Sequence, residues 1–222
     1  MAIIDFLSNP SNMAEVLALL VALATLTSPR SGWWRFFTLF MALTLGVEIT
    51  GFYVHYILNR PNNYNVFVPF MLVEACFYTL ILYKFLDTVN LRRWLLAGFG
   101  AFLLVYIFDL AGTNFMSYSS TSRISLSVFV VLFSCIYYRR LLQGTVLLQP
   151  LKYPPFWVVT GLFFFYFGTI VVFCFRSQLI RLPDKGANVR LFLLGALNWI
   201  LYLSWSIAFI WKRSQIRLSK AS

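Results

Sequence analysis

Two glutamates and the chain's one histidine stand where apolar residues otherwise run almost unbroken. Glu48 and His55 lie in "GVEITGFYVHY", residues 46–56, and Glu74 lies in "FMLVEACFY". A carboxylate or imidazole in such surroundings has three chemistries open to it: relaying protons, holding a ligand by charge or hydrogen bond, and serving as general base to a nucleophile. The spacing favours shared faces. On a helix, positions i, i+4, i+7 and i+11 lie on one side, and here they read Thr44, Glu48, Gly51, His55. Tyr78 follows Glu74 by four, and Asn198, Tyr202 and Trp205 recur at i, i+4 and i+7 in "LNWILYLSW". Tyr166 with Thr169 marks a further helix, while Glu15 and Asp109 stand at the ends of two others.

Composition sets the elements that must position these groups. Of 222 residues, 60% are hydrophobic, 19% aromatic and only 11% charged, and the mean hydropathy is +0.78. This is the composition of a chain that lives in lipid. A helical crossing needs roughly 17–25 largely apolar residues, and the polar and proline-bearing breaks predict seven spans, at about residues 13–27, 36–58, 66–86, 94–111, 124–138, 156–175 and 191–211. The expected fold is an all-α integral membrane protein, a seven-transmembrane-helix bundle forming one domain over residues 1–222. The loops are short, and no flexible linker, low-complexity tract or internal repeat suggests a second unit. The start, "MAIIDFLSNPSNMAEV", has no Lys or Arg ahead of its apolar stretch and carries Asp5. The first span is therefore expected to be retained, not cleaved as a signal peptide.

Loop charge gives an expected orientation. The breaks after spans one, three, five and seven hold 12 Lys and Arg residues, from Arg30 to Lys220, against 6 on the other side: Arg60, Arg123, Arg176, Arg181, Lys185 and Arg190. By the positive-inside rule the N-terminus is outside and the C-terminus cytoplasmic. The net charge of +11 then reflects topology and attraction to anionic headgroups, about 1 kcal/mol per basic residue, and nucleic acid is not an expected partner. The basic loop "RSQLIRLPDKGANVR", residues 176–190, is the departure. Contact with headgroups, capture of an anionic ligand and docking of a partner are the readings open to it.

Several chemistries fall away. A retinal Schiff base needs a lysine deep in span seven, and 191–211 has none. Zinc-dependent membrane hydrolases need several histidines, and there is one. No Gly-rich phosphate loop is present. Cys76, Cys135 and Cys174 fall within spans, where a thiol serves as a small apolar filler. No metal, cofactor or catalytic residue is expected from these patterns. A Ser-His-Asp arrangement of His55 and Asp109 with Ser117, Ser119 or Ser120 stays open, because triads are recognised by geometry and not by chain position. Transport also stays open, since buried carboxylates serve proton relays. Carriers, however, are commonly built from matching repeats with broken helices, and Pro69 is the one proline near a span's middle third.

An ionisable group at mid-bilayer costs about 2.5–3.5 kcal/mol and usually faces a bundle interior or a wet cavity. Spans two and three are antiparallel neighbours, so Glu48 and Glu74 are expected at similar depth, with His55 about 10 Å further out at 1.5 Å per residue. If the polar faces converge, the bundle encloses a chamber in its outer and middle thirds, rimmed by His55, Asp109 and Glu15. Polar side chains also hold membrane helices together, at about 0.6 kcal/mol per hydrogen bond, so Asn198, Tyr78 and Tyr202 carry a packing reading beside the ligand-binding one. Trp33, Trp34, Trp94, Trp157 and Trp211 fit an interfacial aromatic belt.

Three stretches, "YNVFVPFMLVEACFYTLILYKFL", "YPPFWVVTGLFFFYFGTIVVF" and "LLGALNWILYLSWSIAFIW", resemble segments of a largely uncharacterised group of small bacterial seven-helix membrane proteins, often encoded near sensor histidine kinases. The matching residues are Tyr64, Asn65, Glu74, Phe156, Trp157, Tyr166, Gly168 and Asn198. The resemblance implies a membrane-embedded sensing or accessory module and carries over no catalytic residue. The resulting expectation is a sensory or accessory protein of a bacterial inner membrane. A ligand, lipid or proton would act on Glu48, His55 and Glu74 in an outward-facing pocket, with Asp109, Asn198, Tyr202 and Tyr78 around it. A partner such as a sensor kinase would read the change. The alternatives are a proton-coupled transporter of a small solute and a membrane lipid hydrolase.

Overall fold

The computed structural model describes residues 6, 9–27, 29–58, 63–112, 120–143, 150–175 and 186–221. Among them the architecture is all-α, with no strand, and seven long helices follow one another: α1 (Pro10–Leu26), α2 (Arg35–Phe52), α3 (Tyr64–Phe85), α4 (Val89–Gly112), α5 (Ser120–Gln143), α6 (Pro154–Cys174) and α7 (Gly186–Ala221). Six segments are long and apolar enough to cross a membrane: Ser31–Ile57, Tyr64–Phe85, Val89–Gly112, Ser120–Gln143, Pro154–Cys174 and Val189–Leu218. The first of the seven expected spans is shorter. At 17 residues and 1.5 Å per residue, α1 is about 25 Å long, against a hydrocarbon core of about 30 Å.

Local chemistry starts and stops these helices. Asn9 caps α1, its side chain accepting from the Ser11 N–H at 3.1 Å, and Pro10 occupies the first turn, where its missing N–H costs nothing. Pro154 and Pro155 open α6 in the same way. The turn between α1 and α2 passes through Gly32 at φ 59°, a left-handed conformation that a Cβ would disfavour. At the far end of α3, Arg92 donates to the Tyr83 and Leu86 carbonyls at 3.1 and 2.8 Å, while Arg213 reaches the Ala24 carbonyl near the end of α1 at 2.8 Å. Part of the basic bias at this end therefore neutralises helix C-termini.

On an apolar helix face a hydroxyl is satisfied most directly by its own helix. Thr25, Thr44, Thr79, Ser127, Ser134, Thr160, Thr169 and Ser206 each donate to the carbonyl four residues back, at 2.6–2.9 Å. This lets a polar side chain sit in an apolar wall without an orphaned group.

The helices close a ring. Consecutive helices touch from α1 to α7, α7 returns to α1, and α3 meets α5 directly behind α4. The tightest seam joins α6 to α7, where a Cβ added to Gly161 would come within 3.0 Å of the Leu201 carbonyl and the Ser204 Cβ. In α1, Ala14, Ala18 and Ala22 form a buried stripe of small residues, the pattern that lets membrane helices approach closely. Outward, Phe108, Leu142 and Phe192 are more than 70% exposed, as a lipid-facing surface requires.

Candidate functional site

Inside the ring lies a cavity of about 240 Å³, and its lining draws on α1, α2, α3, α5, α6 and α7. Of the seven residues singled out from sequence, Glu48, Glu74, Tyr78, Asn198 and Tyr202 line it together, with Glu15, Thr44, Arg123 and Thr169 beside them. The i, i+4 spacings in α2, α3 and α7 thus turn three polar stripes toward one space. Gly51, next on the α2 stripe, is buried, and an added Cβ would meet the Phe67 ring at 2.7 Å.

His55 and Asp109 do not line the cavity. Directly after α2 the helix continues through Tyr53–Ile57 in π geometry, with the Leu58 N–H bonding the Tyr53 carbonyl at 3.1 Å, five residues back instead of four. Each residue in such a turn advances by less than the α-helical 100°, so the stripe rotates away and His55 is exposed, its ring edge-on to Tyr56 at 4.8 Å. Asp109 instead joins two helices: its carboxylate accepts from the Ser122 N–H at 3.2 Å and from the Ser122 hydroxyl, at the start of α5. A carboxylate there complements the positive end of the helix dipole. Ser120 opens α5; Ser117, Ser119 and the loop residues Arg176, Arg181 and Lys185 lie outside the described residues.

The cavity's electrostatics rest on a residue that the loop count assigns to the exterior. Arg123 lies three residues into α5, and its Nη1 donates to Glu74 Oε2 at 2.9 Å, with side-chain exposures of 14% and 13%. On the α1 side, the Tyr202 hydroxyl donates to Glu15 Oε1 at 3.2 Å. Glu15 is 5% exposed, and its Oε2 has no hydrogen-bond partner among the described residues. Glu48 lines the same cavity and interacts electrostatically with Glu15, Glu74 and Arg123. Three carboxylates and one guanidinium share one small space. No sequence pattern flagged Arg123, because an arginine at a helix end reads as a headgroup contact.

Aromatic rings bound the cavity on one side along the helix axes. Phe37, Phe77, Trp205 and Phe209 interlock with ring centroids 5.3–5.5 Å from Phe37, and Phe40 stacks on Phe77 at 3.9 Å. Trp205 and Phe37 are fully buried, and the indole N–H of Trp205 donates to the Val158 carbonyl at 3.3 Å. This layer lies toward the end of the bundle where α2 begins. In the opposite direction the lining rises to Phe67, Arg123 and Phe173, each within three residues of the end of its helix.

A larger groove of about 490 Å³ runs between α2 and α3, but among the described residues Lys84 is its one charged lining residue, and Phe36, Leu39 and Leu80 in its wall are 60% exposed or more. It is an irregularity of the lipid-facing surface. Among the described residues, costly buried charge converges on the polar cavity. The chain matches no protein-family model, and no curated protein or solved structure is significantly similar to it.

Proposed function

We propose that this chain is a sensory or accessory protein of a bacterial inner membrane that binds a small ligand in the polar cavity. In this reading the bundle crosses the membrane seven times with its N-terminus outside, and the cavity faces the exterior. Ligand binding biases the bundle between two packings, and a separate membrane partner, for which a sensor kinase is the candidate, reads the change. The observation that carries the proposal is the convergence of Glu15, Glu48, Glu74, Arg123, Asn198 and Tyr202 on one cavity. Keeping several charges in a membrane bundle is expensive, and packing alone would be served as well by amides or hydroxyls.

Two observations favour this orientation and role. The Lys and Arg bias toward the side where α2 begins and α7 ends persists, at 10 against 5, when the residues committed within the bundle are set aside, Arg92 and Arg213 on that side and Arg123 on the other. The aromatic layer of Phe37, Phe40, Phe77 and Trp205 interposes packed rings between the cavity and that side. A carrier needs a route to both faces; a receptor needs a route to one. Identifying small molecules that co-purify after mild extraction, from wild type and from Glu48→Gln, tests the proposal. A compound enriched with wild type and lost with the variant supports it. Sustained solute uptake by the purified protein in sealed vesicles would replace it with the carrier reading.

A further inference from the structure

We infer that the cavity is built for a small primary ammonium ion held between Glu15 and Glu48, an inference that rests on the cavity being the ligand site. Among the described residues that line the cavity, Glu15, Glu48 and Glu74 face one cationic side chain, Arg123, which is bonded to Glu74 at 2.9 Å. With all groups ionised, two negative charges remain unmatched in a site walled by apolar residues, where unpaired charge is costly. A cation supplied from outside balances part of this excess.

Hydrogen bonding narrows the class. Tyr202 donates to one oxygen of Glu15, but Oε2 is buried without a partner among the described residues. A buried carboxylate oxygen seeks an N–H or O–H donor. A primary ammonium has three N–H groups, enough for Glu15 Oε2, for Glu48 and for the Asn198 side-chain oxygen. A quaternary ammonium carries the same charge and none of these donors. The walls agree with an amine bearing a short apolar body: Phe67, Phe70, Tyr78, Phe165 and Phe173 line the cavity, and aromatic faces attract cations and accept alkyl groups alike. At about 240 Å³ the site lies below the roughly 300–1,000 Å³ typical of drug-sized ligands. Arg123 is already bound to Glu74, so its charge is matched and a ligand anion would meet the two further carboxylates unscreened.

The test compares four probes of matched size, n-butylammonium, tetramethylammonium, n-butanol and butyrate, by thermal stabilisation of the full chain in nanodiscs at constant ionic strength. The expected result is stabilisation by n-butylammonium at a concentration at least about tenfold lower than by any other probe, as charge-assisted hydrogen bonds imply. The same midpoint should rise at least about tenfold in Glu15→Gln and in Glu48→Gln, each of which keeps the side chain's shape. Equal response to tetramethylammonium overturns the hydrogen-bonding assignment. Preference for butanol or butyrate, or no response to any probe, overturns the cationic class. If co-purification still yields a neutral or anionic compound lost with Glu48→Gln, only the ligand class falls; if nothing co-purifies and no probe binds, the ligand-site reading falls as well.

Discussion

Replacing Arg123 by alanine removes one partner of a nearly buried ion pair and leaves Glu74 facing two other carboxylates. With side-chain exposures of 14% and 13%, little water reaches Glu74 to compensate. Breaking such a pair from one side costs about 3–5 kcal/mol. For a chain of this size each kcal/mol shifts Tm by roughly 2–4 °C, so Arg123→Ala is expected to lower it by roughly 6–20 °C. The paired substitution Arg123→Gln with Glu74→Gln removes both charges and leaves two amides able to bond each other, and it is expected to recover most of the loss. The difference between the double variant and the sum of Arg123→Gln and Glu74→Gln made singly isolates the coupling. Intrinsic fluorescence during heating is a suitable readout, since the chain has 7 tryptophans and Trp205 is fully buried beneath the cavity. A fall of less than 2 °C for Arg123→Ala, or a double variant no more stable than the single, would refute the view that Arg123 anchors the site.

Other expectations separate function from packing. Glu48→Gln relieves repulsion among the cavity carboxylates and is expected to raise Tm by roughly 2–4 °C, about 1 kcal/mol, while abolishing ligand retention; a destabilised variant that still retains ligand would contradict this. His55→Ala is expected to change neither stability, within about 0.5 kcal/mol, nor ligand retention, because its side chain is exposed away from the cavity. Asp109→Asn is expected to cost about 1 kcal/mol through its bonds to Ser122 and to leave ligand retention intact. Gly161→Ala is expected to cost about 1–3 kcal/mol by pushing α6 from α7, whereas Gly100→Ala, with nothing within 4 Å of the new methyl, is expected to stabilise by about 0.5–1 kcal/mol. Heat denaturation of the pair measures the contrast.

The helices were legible because apolar runs long enough for a bilayer have few other folds. Their ends were less so: the expected span 124–138 became Ser120–Gln143, and 191–211 became Gly186–Ala221, since helices continue into polar residues beyond the hydrocarbon. The convergence of Glu48, Glu74, Tyr78, Asn198 and Tyr202 was legible from i, i+4 spacing combined with the cost of buried charge. His55 shows the limit of that spacing rule, which assumes 3.6 residues per turn throughout; one widened turn, with no proline or glycine among Tyr53–Ile57 to announce it, carries the imidazole off the stripe. Arg123 shows another limit. Its position three residues into α5 fits a headgroup anchor, and only tertiary packing places its guanidinium on Glu74, 49 residues earlier in the chain.

The central claim is that the buried acids face water-accessible space reached from outside the cell. Asn198→Cys, in a background with Cys76, Cys135 and Cys174 replaced by alanine, places a thiol on the cavity wall. A small, membrane-impermeant cationic methanethiosulfonate added to intact spheroplasts is expected to modify it rapidly, and more slowly in the presence of n-butylammonium. Wild-type Cys76, on the lipid-facing groove, serves as the unreactive reference. An Asn198→Cys thiol that resists the reagent from outside, or reacts only in inverted vesicles, would contradict the claim.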